Sequence, residues 1–135
     1  MRDSFHLRIV TPKELLIDEE VREVTAPGTV GEFGVLAEHI TFLTSLEIGI
    51  LSFRTEHGVR RLAVRGGFAE VAGNVMTVLV EDATFAEDVD VNAARNDLQA
   101  AETQLADLSP PDAGFDSADA SRRWAGARLA AAAGR

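Results

Sequence analysis

The run Phe68-Ala69-Glu70-Val71-Ala72-Gly73-Asn74-Val75-Met76-Thr77-Val78-Leu79-Val80 holds two strand-like segments around a turn signal. Branched and apolar residues suit a pleated, half-buried surface, and Gly73-Asn74 tolerates a chain reversal. The run therefore predicts a β-hairpin. The same pattern recurs upstream. Ile48-Gly49-Ile50-Leu51-Ser52-Phe53 and Arg61-Leu62-Ala63-Val64 flank Glu56-His57-Gly58, a second hairpin signal. Phe5-His6-Leu7-Arg8-Ile9 alternates until Thr11-Pro12, where proline cannot donate to a ladder. Val21-Arg22-Glu23-Val24-Thr25 stops at Pro27-Gly28. No helical period separates these runs, so residues 1–86 are expected to form an antiparallel β-sandwich or flattened barrel of eight to ten short strands. Phe, Val, Ile and Leu supply its core.

Beyond residue 86 the period changes. Val91, Ala94, Leu98, Ala101, Leu105 and Leu108 fall in one stripe at 3-4-3-4-3 spacing. Asp88 or Asp90 is placed to cap this helix, and Ser109-Pro110-Pro111 to end it. After a polar loop containing Gly114, Ser117 is expected to cap a second helix running to Ala133, with Ala120, Trp124, Ala127 and Ala131 on one side. The fold class expected is α+β, a sandwich over residues 1–86 followed by an antiparallel helical hairpin over 87–135. Residues 81–109 carry eight acids and one base, and residues 118–135 carry four arginines and one acid. That asymmetry draws the helices together, although an exposed pair is worth only about 0–1 kcal/mol. With three leucines and many alanines in its seam, the hairpin is expected to be weakly held and able to leave its resting place for a better surface.

Composition excludes several classes of function. The chain has 135 residues, 22 acids against 13 bases and a formal net charge of −9. Nucleic acid is repelled by such a surface, and no Lys/Arg cluster offsets it. There are no cysteines, hence no disulfide, thiolate metal site or cysteine nucleophile. No apolar run approaches the roughly 20 residues that span a bilayer. The start, Met1-Arg2-Asp3-Ser4-Phe5, has no apolar or Arg/Ser-rich leader pattern. A cytosolic chain without membrane insertion is expected.

No motif assembles a catalytic site. The glycine run Pro27-Gly28-Thr29-Val30-Gly31-Glu32-Phe33-Gly34 lacks the Lys-Ser/Thr of a phosphate loop and the helix behind it, so turn and bulge glycines are expected. His6, His39 and His57 lack metal-ligand spacing. Gly-x-Ser-x-Gly is missing. His39 lies beside Glu38 and near Glu32, which suits a surface contact better than acid/base chemistry.

A β-rich region followed by a two-helix hairpin resembles the epsilon subunit of F-type ATP synthases, and the wording of the chain is similar along most of its length. Leu7-Arg8-Ile9-Val10-Thr11-Pro12 is similar to the family's opening strand. Val24-Thr25-Ala26-Pro27-Gly28-Thr29-Val30-Gly31-Glu32-Phe33-Gly34-Val35-Leu36 resembles its most recognisable segment. The family continues with Pro-Gly-His-Ala-Pro-Leu-Leu-Thr. Here Ala37-Glu38-His39-Ile40-Thr41-Phe42-Leu43-Thr44 keeps the histidine and loses both prolines. Val64-Arg65-Gly66-Gly67-Phe68-Ala69-Glu70-Val71 and Asn74-Val75-Met76-Thr77-Val78-Leu79 match two further strands.

The resemblance implies a non-catalytic subunit of the central stalk, without cofactor or metal. It would couple proton-driven rotation of the c-ring to ATP synthesis, through the gamma subunit, at the cytoplasmic face of the bacterial inner membrane. Gamma and the c-ring are the partners implied, and Glu32 and His39 are the positions that carry over as ring contacts. In some members the hairpin reaches the alpha/beta catalytic head and inhibits hydrolysis, and in some it binds ATP through Ile/Leu-Asp-x-x-Arg-Ala. Val89-Asp90-Val91-Asn92-Ala93-Ala94 keeps the aspartate but has Ala93 at the arginine position. A phosphate without its arginine is poorly held, so weak ATP binding or none is expected. Arg122, Arg123 and Arg128 do not reproduce the family's arginine spacing, and engagement of the head by the basic second helix stays open. The rival readings are a free-standing binding module with a docking arm and a small nucleotide sensor.

Overall fold

The computed structural model describes residues 3–38 and 41–134. Its strands are β1 (Phe5–Val10), β2 (Leu15–Val21), β3 (Glu23–Gly28), β4 (Gly31–Leu36), β5 (Phe42–Thr55), β6 (Gly58–Ala72), β7 (Val75–Val80) and β8 (Ala83–Phe85). A 3-10 turn, Ala86–Asp88, leads to helices α1 (Val91–Leu105) and α2 (Phe115–Ala133). Both predicted hairpins form. In the β6–β7 turn Gly73 and Asn74 are both left-handed, with φ of 59° and 62°, the twist that a two-residue hairpin turn needs.

The strands run in the order β2-β1-β7-β6-β5-β3-β4, with β8 also beside β6. The expected sandwich is present, with three differences in detail. The β1–β7 pair is parallel while the others are antiparallel. Alternation reads the same for either direction, so nothing in the two segments distinguishes them. The sheet is also not closed into a barrel, because β2 and β4 remain edges. Nor are all strands short, since β5 spans 14 residues and β6 spans 15.

Those two strands make the corner of the sandwich. Their pairing is regular from Phe42↔Val71 to Thr55↔Gly58 except at Glu47 and Gly66, where the ladder is interrupted. At the same level β7 gives way to β8, and β6 keeps contact through Arg65 N–H to Asp82 C=O at 2.9 Å and Glu81 N–H to Gly66 C=O at 3.2 Å. Gly66 and Gly67 sit there with φ of 61° and 144°. Bends of this kind let one strand serve both layers. Phe5, Leu7, Ile9, Val24, Val35, Leu51, Phe53, Leu62, Val64, Met76 and Val78 point into the single core between the layers and are buried.

The helices depart from expectation more than the strands. Asp90 is the cap of α1, accepting the Ala93 N–H at 3.0 Å. The helix ends at Leu105, so Leu108 lies beyond it. Gly114, not Ser117, caps α2, with φ of 88° and no side-chain bond, and Ser117 falls inside the first turn. Asp112 shapes the loop ahead of it, its carboxylate accepting the Ser109 N–H at 2.8 Å, so the chain turns into α2 earlier than a serine cap would set. The buried residues of α1 are Ala94 and Ala101, while Leu98, Leu105 and Leu108 are half-buried. On α2 Ala118, Trp124, Ala125, Ala127, Ala131 and Ala132 are buried and Ala120 is half-buried.

The helices are antiparallel, with Asp97 beside Arg128 at 2.9 Å and Gln104 near Ser121. They are not packed on each other alone. One face of α2 meets α1 and another meets β5 and β6, where Trp124, Ala127 and Ala131 join Ala63, Ala86, Ile48 and Ile50 in a second cluster.

A Cβ on Gly67 would lie 1.9 Å from the Leu79 carbonyl oxygen, and φ of 144° is strained for any other residue. Gly67→Ala is expected to cost about 2–4 kcal/mol in urea unfolding. A loss under about 1 kcal/mol would show that the corner relaxes freely.

Candidate partner-binding surfaces

The outer face of the β2-β1-β7-β6 layer is apolar along one row. Register places Leu15 beside Val10, Val10 beside Leu79, and Leu79 beside Phe68. Leu15, Leu79 and Phe68 are 47%, 50% and 56% exposed. Val10, Leu79 and Phe68 flank a groove of about 410 Å³ lined also by Thr11, Pro12 and Gly67. The next row, Asp18, Arg8, Thr77, Glu70 and Leu43, is mostly polar, and Leu43 within it is 69% exposed. An apolar strip with a polar rim is the anatomy of a protein-binding patch. The signal was in the sequence. Val75-Met76-Thr77-Val78-Leu79-Val80 is apolar on both faces, the mark of a strand covered on both sides.

A second surface is the β3–β4 hairpin. Gly28 pairs with Gly31 across Thr29-Val30, and Glu32 lies opposite Pro27. Val30 is wholly exposed and Glu32 is exposed. An apolar cleft of about 420 Å³ opens beside them, between Val30, Phe33, Phe42 and Thr44. The rings of Phe33 and Phe42 meet edge to face at 5.7 Å. His39, the other expected ring contact, lies outside the described residues.

The remaining candidates are engaged within the fold. Asp90 caps α1. Arg122 bonds Asp119 of its own helix, Arg123 reaches Glu47 on β5 at 2.6 Å, and Arg128 holds Asp97 while stacking on Trp124 at 5.4 Å. Among the described residues, only Arg128 makes the helix–helix pair that charge asymmetry predicts. Arg123 instead ties α2 to the sheet, at the interruption where Glu47 leaves the ladder. His57 stands beside Glu56 at 3.4 Å in an exposed turn.

His6 lies between two carboxylates of β2. Its ring contacts Asp18 through Nε2, and Nδ1 meets Glu20 at 3.1 Å. These hydrogen bonds, Asp18 first and Glu20 second, raise its pKa above 6.5 against a small opposing effect of burial. A raised folded pKa means stabilisation that is complete below the unfolded value and is lost as pH climbs through the folded one. With the ring about one-third exposed the gain is no more than about 1 kcal/mol. The stability advantage of the natural chain over His6→Gln should accordingly shrink between about pH 6 and pH 8 in urea unfolding, and an advantage that grows with pH would contradict this geometry.

The half-exposed Arg123–Glu47 pair is the polar link from α2 to the sheet. A double-mutant cycle on Arg123→Ala and Glu47→Ala, read from amide exchange in α2, should give a coupling of about 0.5–1 kcal/mol that fades in high salt. Zero coupling would leave α2 held by its alanines and Trp124 alone.

Comparison with known proteins matches residues 4–86 to the family model "ATP synthase, Delta/Epsilon chain, beta-sandwich domain". The chain is 48% identical over 108 residues to the ATP synthase epsilon chain of Nitratidesulfovibrio vulgaris (strain DP4), covering 80% of this chain and 81% of that one. It is 41% identical over 133 residues to the epsilon chain of Geotalea uraniireducens (strain Rf4), covering 98% and 96%. In structure it is similar to a chain of the Euglena gracilis mitochondrial ATP synthase, solved as OSCP/F1/c-ring in rotational state 1. That likeness has a TM-score of 0.84 at 26% identity and covers 98% of this chain and 83% of that one. A chain of the Tetrahymena thermophila central stalk and c-ring shares the fold, with a TM-score of 0.67 at 17% identity, covering 94% and 95%.

Proposed function

The chain belongs to the ATP synthase delta/epsilon family, and we propose that it joins the gamma subunit to the c-ring, so that ring rotation driven by protons reaches the catalytic head. It is a non-catalytic central-stalk subunit. Family membership sets aside the free-standing binding module. The observation that carries the proposed arrangement is the exposed apolar row Leu15, Val10, Leu79 and Phe68. A stalk subunit that transmits torque must be clamped broadly, and this row offers gamma a flat, dry contact on a stiff support. Glu32, on the hairpin below the exposed Val30, is the ring contact. His39 is its companion there by resemblance alone. In a bacterial cell these surfaces work at the cytoplasmic face of the inner membrane. No helix among the described residues is long and apolar enough to cross a membrane.

We read residues 1–86 as the torque-bearing body and 87–135 as a separable arm. The family model ends at residue 86, and the arm meets the body through alanines, one tryptophan and the exposed ion pairs Arg123–Glu47 and Glu87–Arg60. Such a contact can be exchanged for one on the alpha/beta head, which gives the arm a route to restrain hydrolysis. ATP would be held by it weakly or not at all. Asp90 is spent on the cap of α1, Ala93 brings no cation, and the described arginines of α2 have carboxylate partners.

Phe68→Asp and Leu79→Asp place charges on the exposed row without touching the core. Either should lower affinity for gamma at least about 100-fold in a pull-down with the purified subunit, with the thermal midpoint little changed. Full retention of gamma by the double variant would refute the assignment.

A further inference from the structure

Asn74 is chosen by more than its turn. Glycine satisfies its left-handed φ of 62° equally well, yet the asparagine side chain bonds two backbone groups far away in sequence. Its Oδ1 accepts the Glu38 N–H at 2.7 Å, and its Nδ2 donates to the Ser4 carbonyl at 2.9 Å. Its own carbonyl accepts the His6 N–H at 3.1 Å. One half-buried residue thus binds the start of β1, the β6–β7 turn and the chain leaving β4.

The last of these contacts is under strain. Glu38 holds φ of 59°, a conformation that residues with a side chain rarely adopt, and the bond from Asn74 fixes it. Directly before Glu38, Ala37 packs on the sandwich core and continues into β4, the strand that holds Glu32. A path therefore runs from Asn74 through Glu38 and Ala37 to the hairpin that carries Glu32.

We propose that Asn74 is a positioning residue for the ring-facing end of the subunit: its amide sets the backbone at Glu38, and through Ala37 and β4 the seat of the β3–β4 hairpin. This rests on the reading of Glu32 as a ring contact. Asn74→Gly is the informative variant, because it keeps the left-handed backbone and removes only the amide. In the full chain the Glu38 amide should exchange roughly tenfold faster in Asn74→Gly while amides in the middle of β7 are unchanged. In the reassembled complex in proteoliposomes, ATP-driven proton pumping per ATP hydrolysed should fall at least twofold, in the same direction as for Glu32→Gln. Unchanged exchange at Glu38 overturns the clamp. Faster exchange with normal pumping, where Glu32→Gln does impair it, overturns the positioning role alone. Normal pumping in Glu32→Gln as well removes the ring-contact reading, and the inference with it.

Discussion

β5 and β6 pair along almost their whole length and bend together at one level, and the rest of the molecule is arranged around that bend. Gly67 passes so close to the Leu79 carbonyl that no side chain fits, and at that height the β5–β6 ladder skips Glu47 and Gly66. Above the bend β6 is zipped to β7, below it to β8. A sheet folded this way encloses its core without closing into a barrel. The bend also has a side effect. Glu47, released from the ladder, turns up where Arg123 of α2 meets it, so the feature that forms the body also supplies the arm's polar anchor.

The outer faces of the two layers differ. Over Ile48, Ile50 and Ala63 lies α2, contributing small side chains that let the helix approach closely and little apolar area to hold it there. The row from Leu15 to Phe68 is left uncovered, with larger residues and a charged margin. Strength of contact follows from this difference. The uncovered row suits a lasting joint, whereas the alanine-rich interface suits one that opens.

Strands and helices were legible because each writes its own period. The hairpin at Gly73-Asn74 is local and forms as its residues predict, and of the two caps that the sequence offers, Asp88 and Asp90, the second is used. The run Val21–Thr25 instead divides at Arg22 between β2 and β3, and Pro27-Gly28 pair with β4 inside β3. Contacts set by distant parts of the chain were not legible. Parallel pairing of β1 with β7 depends on where β6 turns, and the order of layers around α2 depends on Ala63 facing outward while Leu62 and Val64 face in. The stripe of α1 mixes leucines and alanines, and Ala94 and Ala101 are the buried ones, since a closely approaching helix leaves room only for methyl groups. Glu32 was named from resemblance. The Leu15–Phe68 row was within reach, because alternation separates Leu79 from Val78, but only register shows that four strands line their exposed residues up.

Trp124 is the chain's one tryptophan, and there is no tyrosine. It is buried where α2 meets the sheet, under the guanidinium of Arg128. Ultraviolet emission excited at the indole band therefore comes from a single site, at the seam between body and arm. The subunit carries its own optical gauge of the arm's position: blue-shifted while the indole is dry, and redder once water reaches it.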